Sequence, residues 1–129
     1  THMSAPGFRG PRQLWGALCW SLRGLRAAWQ HESSFRLEVL LAIVLVPTGL
    51  WLGNGALEQL ALGAPVVLVL VAELLHSALE AIVDLVSPEY NELAGRAKDL
   101  GSAAVFVLML LVVLSWALVK GAWLVRLLD

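Results

Sequence analysis

Glu73, His76, Ser77, Glu80 and Asp84 lie in a stretch, Val66 to Val86, that otherwise reads as a membrane-spanning helix. At about 100° per residue, these positions share an arc of roughly 100° on one helix face. A charged group at the bilayer centre costs about 2.5–3.5 kcal/mol on insertion scales, so carboxylates on such a span are paired, hidden or used. Two uses suit them. Carboxylates give hard oxygen ligands to a cation such as Mg²⁺, which takes one or two of them together with substrate phosphates. A carboxylate within hydrogen-bond reach of a hydroxyl also serves as a general base. The plainer account is helix–helix glue, with carboxylates hydrogen-bonded across an oligomer interface. His76, one turn from Glu73 and from Glu80, suits packing and function equally.

A second polar run, Gly95-Arg96-Ala97-Lys98-Asp99, sets two cations beside a carboxylate and is suited to phosphate. Taken alone, basic residues beside a membrane more often only fix topology. His31-Glu32 and Arg36-Leu37-Glu38 read by themselves as interfacial charge. There is no Walker A loop, glycine-rich kinase loop, zinc motif or nucleophile elbow. Cys19 is the single cysteine, which excludes an internal disulfide and suits a reducing compartment. No nucleic-acid partner is expected.

The elements that must position these groups are membrane helices. Of 129 residues, 59% are hydrophobic and 15% charged, whereas soluble domains carry roughly 25% charged residues. The predicted fold class is an all-α membrane protein, an N-terminal amphipathic surface helix followed by three transmembrane helices. Residues 1–10 are expected to be a tag remnant and flexible N-terminus, and no signal peptide is expected. Residues 11–34 form the surface helix. Leu14, Leu18, Leu22, Leu25 and Trp29 recur there at helical spacing, with Trp15, Trp20, Arg23 and Arg26 between them, a pattern for the headgroup layer. Residues 35–129 form the three-span domain, with spans at about 35–52, 60–86 and 102–119. Pro47 and Gly49 are predicted to break the first span near its end. Gly53-Asn54-Gly55 reads as a turn, Ala56-Leu57-Glu58 as a connector, and Ser87-Pro88 as the stop of the second span.

Arg9, Arg12, Arg23, Arg26 and Arg36 stand before the apolar part of the first span, no basic residue stands in the first loop, and Arg96 and Lys98 stand in the second. The N-terminus and second loop are therefore expected in the cytoplasm, with Lys120 and Arg126 in the tail dissenting. Three spans cannot enclose an aqueous site alone, so a homo-oligomer is expected to cover the carboxylate stripe. Residues alone leave an enzyme and an ion-conducting assembly both open.

Four stretches resemble the bacterial integral-membrane diacylglycerol kinase family: Gly24 to Trp29 (GLRAAW), Glu32 to Glu38 (ESSFRLE), Glu73 to Asp84 (ELLHSALEAIVD) and Gly95 to Val105 (GRAKDLGSAAV). The resemblance runs from about residue 13 onward. It implies a homotrimer in the bacterial inner membrane that transfers the γ-phosphoryl group of Mg·ATP to diacylglycerol, giving phosphatidic acid for phospholipid recycling. By the same resemblance Glu73 is the catalytic base, and Glu32 and Glu80 hold Mg²⁺ on the ATP phosphates. Lys98 and Asp99 meet the nucleotide, with Glu89, Tyr90 and Asn91 near its base or ribose and Trp20 as the nearby aromatic. Arg26, Ala27, Ala28 and Trp29 match the lipid site on the surface helix. Ser34, Phe35, Arg36, Leu37 and Glu38 match it on the first span, and Ser102 and Trp116 on the third.

Two positions depart from the family pattern. His76 stands where the family usually has asparagine, and an imidazole replaces one amide donor or acceptor but not both. Either activity is reduced or the position is less strict than the pattern implies. The family's early arginine aligns with Gln13, beside Arg12. Relatives that act on undecaprenol tend to lack the pair this chain has at Gly101-Ser102, so diacylglycerol is the expected substrate and undecaprenol the alternative. A cation or proton pathway along Glu73, Glu80 and Asp84 is the non-enzymatic alternative, against which the outer half of the second span, Leu60 to Val71, has no polar residue.

Overall fold

Gly55, with φ 93°, adopts a backbone that L side chains rarely take, and it turns the chain directly into a helix. That helix begins at Ala56, where a connector was predicted. The Glu58 carboxylate accepts the Asn54 N–H at 3.1 Å, so the first acidic residue satisfies a donor of the preceding turn. The computed structural model describes residues 10–129, in which the chain forms α1 (Pro11–His31), α2 (Ser33–Leu52), α3 (Ala56–Val86) and α4 (Glu92–Leu128). The tag remnant and flexible terminus expected at 1–10 lie, apart from Gly10, outside the described residues.

The all-helical class is as predicted, and α2, α3 and α4 are each long and apolar enough to cross a membrane. Their large apolar side chains point outward, as with Ile43, Leu75, Ile82, Phe106 and Val113, each 59–67% exposed. This is the surface of a membrane protein. α3 is the central element, and α2 and α4 both pack on it. α1 meets the rest of the chain mainly near its C-terminal end, where Ala28 is buried, and leaves Trp15, Leu18 and Leu22 exposed.

The predicted break at Pro47 and Gly49 does not occur; α2 runs through both to Leu52. Pro47 removes one N–H donor, and the Thr48 hydroxyl donates to the Val44 carbonyl at 2.6 Å in the loosened turn. Gly49 is a contact, not a stop. A Cβ there would sit 2.9 Å from the Leu62 Cβ and 3.6 Å from the Trp116 ring, so the missing side chain lets α2 approach α3 and α4. Opposite it, Pro65 disturbs the hydrogen-bond ladder of α3, and Trp116 Nε1 donates to the Leu62 carbonyl at 3.0 Å. Trp116→Phe keeps an aromatic side chain but removes this donor and the pyrrole part of the indole. It should lower bundle stability by about 0.6–1.7 kcal/mol, read from unfolding titrations in detergent.

One turn beyond Leu62 and Trp116, at the same end of the bundle, Lys120 is 6% exposed and its Nζ lies 3.3 Å from Glu58 Oε1. The lysine that dissents from the charge rule is thus buried and paired between α3 and α4.

Candidate active site

The polar face of α3 climbs from the bundle interior to its surface. Glu73 is 6% exposed, whereas the Asp84 side chain, three turns on, is 63% exposed. His76 stands between two carboxylates, its Nδ1 3.9 Å from Glu73 Oε2 and its Nε2 3.6 Å from Glu80 Oε2. At these separations the contacts are electrostatic, and Nε2 has no hydrogen-bond partner. The ring is seated against α4. A Cβ on Gly101 would lie 2.5 Å from His76 Cδ2, so only glycine leaves room for this imidazole. Sequence reasoning used Gly101 as part of a family stretch and to choose between lipids, not as a packing residue. Its position inside a helix, where glycine is unfavourable by about 1 kcal/mol against alanine, was the available sign of a packing role. Gly101→Ala should destabilise the protein by about 1–3 kcal/mol through overpacking. Adding His76→Ala should recover most of that loss in a double-mutant cycle followed by thermal unfolding.

Glu32 is the single non-helical residue between α1 and α2, with φ −118° and ψ 105°. Its N–H bonds the Ala28 carbonyl at 2.9 Å, and its own carbonyl accepts the Arg36 N–H at 3.2 Å. The Arg36 guanidinium reaches back, donating to the Trp29 carbonyl at 2.7 Å and the Gln30 carbonyl at 3.4 Å. A cation on the free carbonyls of a helix C-terminus stabilises it and fixes the angle at which α1 leaves α2. Glu32 also lines a cavity of about 650 Å³ between α1 and α3, with Ala27, Ala28, Leu74, Ser77 and Ala78 on its walls. The Ser77 hydroxyl is buried without a partner.

A second cavity, of about 310 Å³, opens where α3 ends. Asp84, Glu89, Tyr90, Lys98 and Asp99 line it, four of them residues expected at the nucleotide. Lys98 Nζ bonds Asp84 Oδ1 at 2.6 Å, which gives Asp84 a definite partner. Asn91 caps α4. Its Oδ1 accepts the Ala94 N–H at 2.9 Å, and its Nδ2 donates to Ser87 Oγ at 2.6 Å. Ser87 Oγ in turn donates to the Glu89 carbonyl at 2.8 Å, so Ser87, which sequence reasoning took only for a helix stop, holds the loop in shape.

The expected site residues do not share one cavity within a single chain. Trp20, Arg26 and Trp29 are exposed on α1, Leu37 is exposed on α2, and Phe35 is buried beneath the joint. Ser34 opens α2 and Ser102 follows Gly101 on α4. Trp116 lies about 21 Å along α4 from Ser102. Among the described residues, no three His, Cys, Asp or Glu side chains converge as a metal cage.

The family model for prokaryotic diacylglycerol kinase matches residues 19–120, which span the joint, the whole polar face of α3 and the loop cavity. The chain belongs to the prokaryotic diacylglycerol kinase family. Family relatives include the diacylglycerol kinase of Escherichia coli K12, 43% identical over 99 residues that cover 77% of this chain and 81% of the relative. That of Haemophilus influenzae is 43% identical over 97 residues, covering 75% and 82%. That of Helicobacter pylori 26695 is 37% identical over 122 residues, covering 95% and 92%. A prokaryotic diacylglycerol kinase is a lipid kinase, and this one carries its polar face on a helix long enough to cross the membrane.

Proposed function

We propose that the chain is a Mg²⁺-dependent kinase that transfers the γ-phosphoryl group of ATP to the free hydroxyl of 1,2-diacylglycerol, giving phosphatidic acid. One observation carries the reading: a buried carboxylate, Glu73, heads a polar face that ends beside a polar cavity at the bundle surface, where Lys98 stands among Asp84, Glu89 and Asp99. That placement suits a reaction between a lipid hydroxyl inside the membrane and a phosphate donor outside it.

Glu73 accepts the hydroxyl proton as the alcohol oxygen bonds to Pγ; the bond from Pγ to the bridging oxygen breaks and the electron pair leaves with ADP. The Lys98 ammonium, held at the cavity by Asp84, faces the phosphates, and Asp99 and Tyr90 line the same space. Glu32 and Glu80 would hold Mg²⁺. Two carboxylates without a closed cage fit an ion that keeps waters and phosphate oxygens in its shell. When bound, Mg²⁺ neutralises charge that builds on the phosphates in the transition state. Arg26, Ala27, Ala28, Trp29, Ser34, Phe35, Arg36, Leu37, Glu38 and Ser102 are assigned to the lipid, with Trp116 at the depth of its tail.

The spread of these residues over separate cavities supports a homotrimer whose copies complete one another's sites. The cytoplasmic end of the assembly in a bacterial inner membrane would be the one bearing the N-terminus and the loop at Ser87–Asn91. Buried Leu62, Val66 and Val69 close the outer half of α3 with apolar contacts, which argues against an ion pathway.

The test is phosphoryl transfer from labelled ATP by the purified protein in mixed micelles, with diacylglycerol and undecaprenol side by side. Phosphatidic acid that forms only with Mg²⁺ supports the reading. Product from undecaprenol alone would reassign the substrate, and no product from either, with His76→Asn inactive as well, would overturn the kinase reading.

A further inference from the structure

Glu73, His76 and Glu80 stand on one face of α3 at intervals of three and four residues. A glutamate three positions before a histidine, and two ligands four positions apart, are spacings by which helices hold transition metals. The imidazole turns one nitrogen to each carboxylate, Nδ1 to Glu73 and Nε2 to Glu80. Nε2 is buried without a hydrogen-bond partner and stands 3.6 Å from Glu80 Oε2. Two donors on one tetrahedral ion, each at about 2.0–2.2 Å, lie roughly 3.3–3.5 Å apart, with a tolerance of about 0.2 Å. The pair is already spaced for a shared ion.

The ring is also held in place. Gly101 on α4 meets its Cδ2 edge and leaves no room for a side chain there. Glu73 faces Nδ1, and in metal-bound histidines the nitrogen that does not coordinate is commonly fixed by such a carboxylate. The Glu80 side chain is 37% exposed, which leaves the ion a way in.

We propose that His76 Nε2 joins Glu80 in binding a borderline transition metal such as Zn²⁺ or Co²⁺, so that His76 sets the metal selectivity of the site. The proposal deepens the kinase reading, from which it takes Glu80 as a metal ligand. Mg²⁺ is hard, prefers oxygen and dehydrates reluctantly, so an imidazole adds little to its affinity. Zn²⁺ and Co²⁺ gain from the nitrogen. Two protein donors leave the remaining positions to water or phosphate oxygens, in keeping with the lack of a three-ligand cage among the described residues. Asparagine at position 76 would offer an amide oxygen and no nitrogen lone pair.

Two measurements test it. Zn²⁺ affinity of the purified protein in detergent, without nucleotide, is read by competition with a chromogenic chelator. His76→Asn should weaken it about 10- to 100-fold, and equal affinity overturns the proposal. The Mg²⁺ concentration for half-maximal kinase rate should move by less than about threefold in the same variant. A shift as large as that for zinc would overturn the selectivity. If that variant does not fold, His2→Ala with His31→Ala leaves His76 as the only histidine. X-ray absorption at the zinc edge, with equimolar metal, should then show the outer-shell scattering of an imidazole. Oxygen ligands alone, or sulfur from Cys19, overturn the site. Neither zinc measurement needs turnover, so an imidazole-bound zinc in a protein that makes no phosphatidic acid would leave the site standing and remove the kinase reading. Mg²⁺-dependent phosphoryl transfer with an imidazole-free zinc spectrum would do the reverse.

Discussion

Glu73→Gln lowers kcat for phosphoryl transfer by about 10³-fold, within the range that a general base contributes. Glutamine has the same shape and still hydrogen-bonds a hydroxyl, but it does not take the proton. Glu73 is 6% exposed, so bulk water has little access to act in its place. The nearest charged groups do not substitute. His76 Nδ1 is 3.9 Å from Glu73 and on the same helix face, and Glu38 lies on α2 at the head of a different cavity. The check is single-turnover transfer by the variant at saturating ATP, with oligomeric state and helix content measured alongside. Intact assembly with lost turnover places Glu73 at the chemical step; activity within a few-fold of the parent removes it from that role.

Glu80→Gln raises the Mg²⁺ concentration needed for half-maximal rate by about 10- to 100-fold, the usual loss when a metal site is weakened. Its side chain is 37% exposed, so the substitution leaves no buried orphan charge and the fold should tolerate it. Glu32→Gln, at the α1–α2 joint, should act in the same direction. High Mg²⁺ restores part of the rate in both variants and none in Glu73→Gln, which separates metal binding from proton transfer. An unchanged Mg²⁺ titration in the two carboxamide variants would clear Glu32 and Glu80 of metal binding.

The helices were legible because long apolar runs announce membrane helices, and the helical spacing of Glu73, His76, Glu80 and Asp84 announced their shared face. What hydropathy hides is helix that continues beyond the apolar run. The third span was expected at 102–119, and α4 runs from Glu92 to Leu128 because its first polar turns are solvated helix capped by Asn91. Pro47 misled for a different reason. Proline removes one donor, and whether a helix survives depends on neighbours that sequence does not place, here the Thr48 hydroxyl and the packing around Gly49. The pairs Lys98–Asp84 and Lys120–Glu58 join residues 14 and 62 positions apart, so no local pattern marks them. The dissent of Lys120 from the charge rule is eased by the second pair, which offsets the lysine's charge with a carboxylate at the same end of the bundle.

The joint at Glu32 also fixes a phase. Only one residue separates α1 from α2, and Arg36 ties the last carbonyls of α1 to the start of α2, so no slack absorbs a change of length. Inserting one residue after Ala28 would turn the preceding part of α1 by about 100° and push it 1.5 Å along its axis. Ala27 and Ala28 would leave the α3 cavity, and the tryptophans and arginines of α1 would face a different layer. Substitutions along α1 can be numerous while its count of residues is not free to drift, so length itself behaves as an inherited trait of the surface helix.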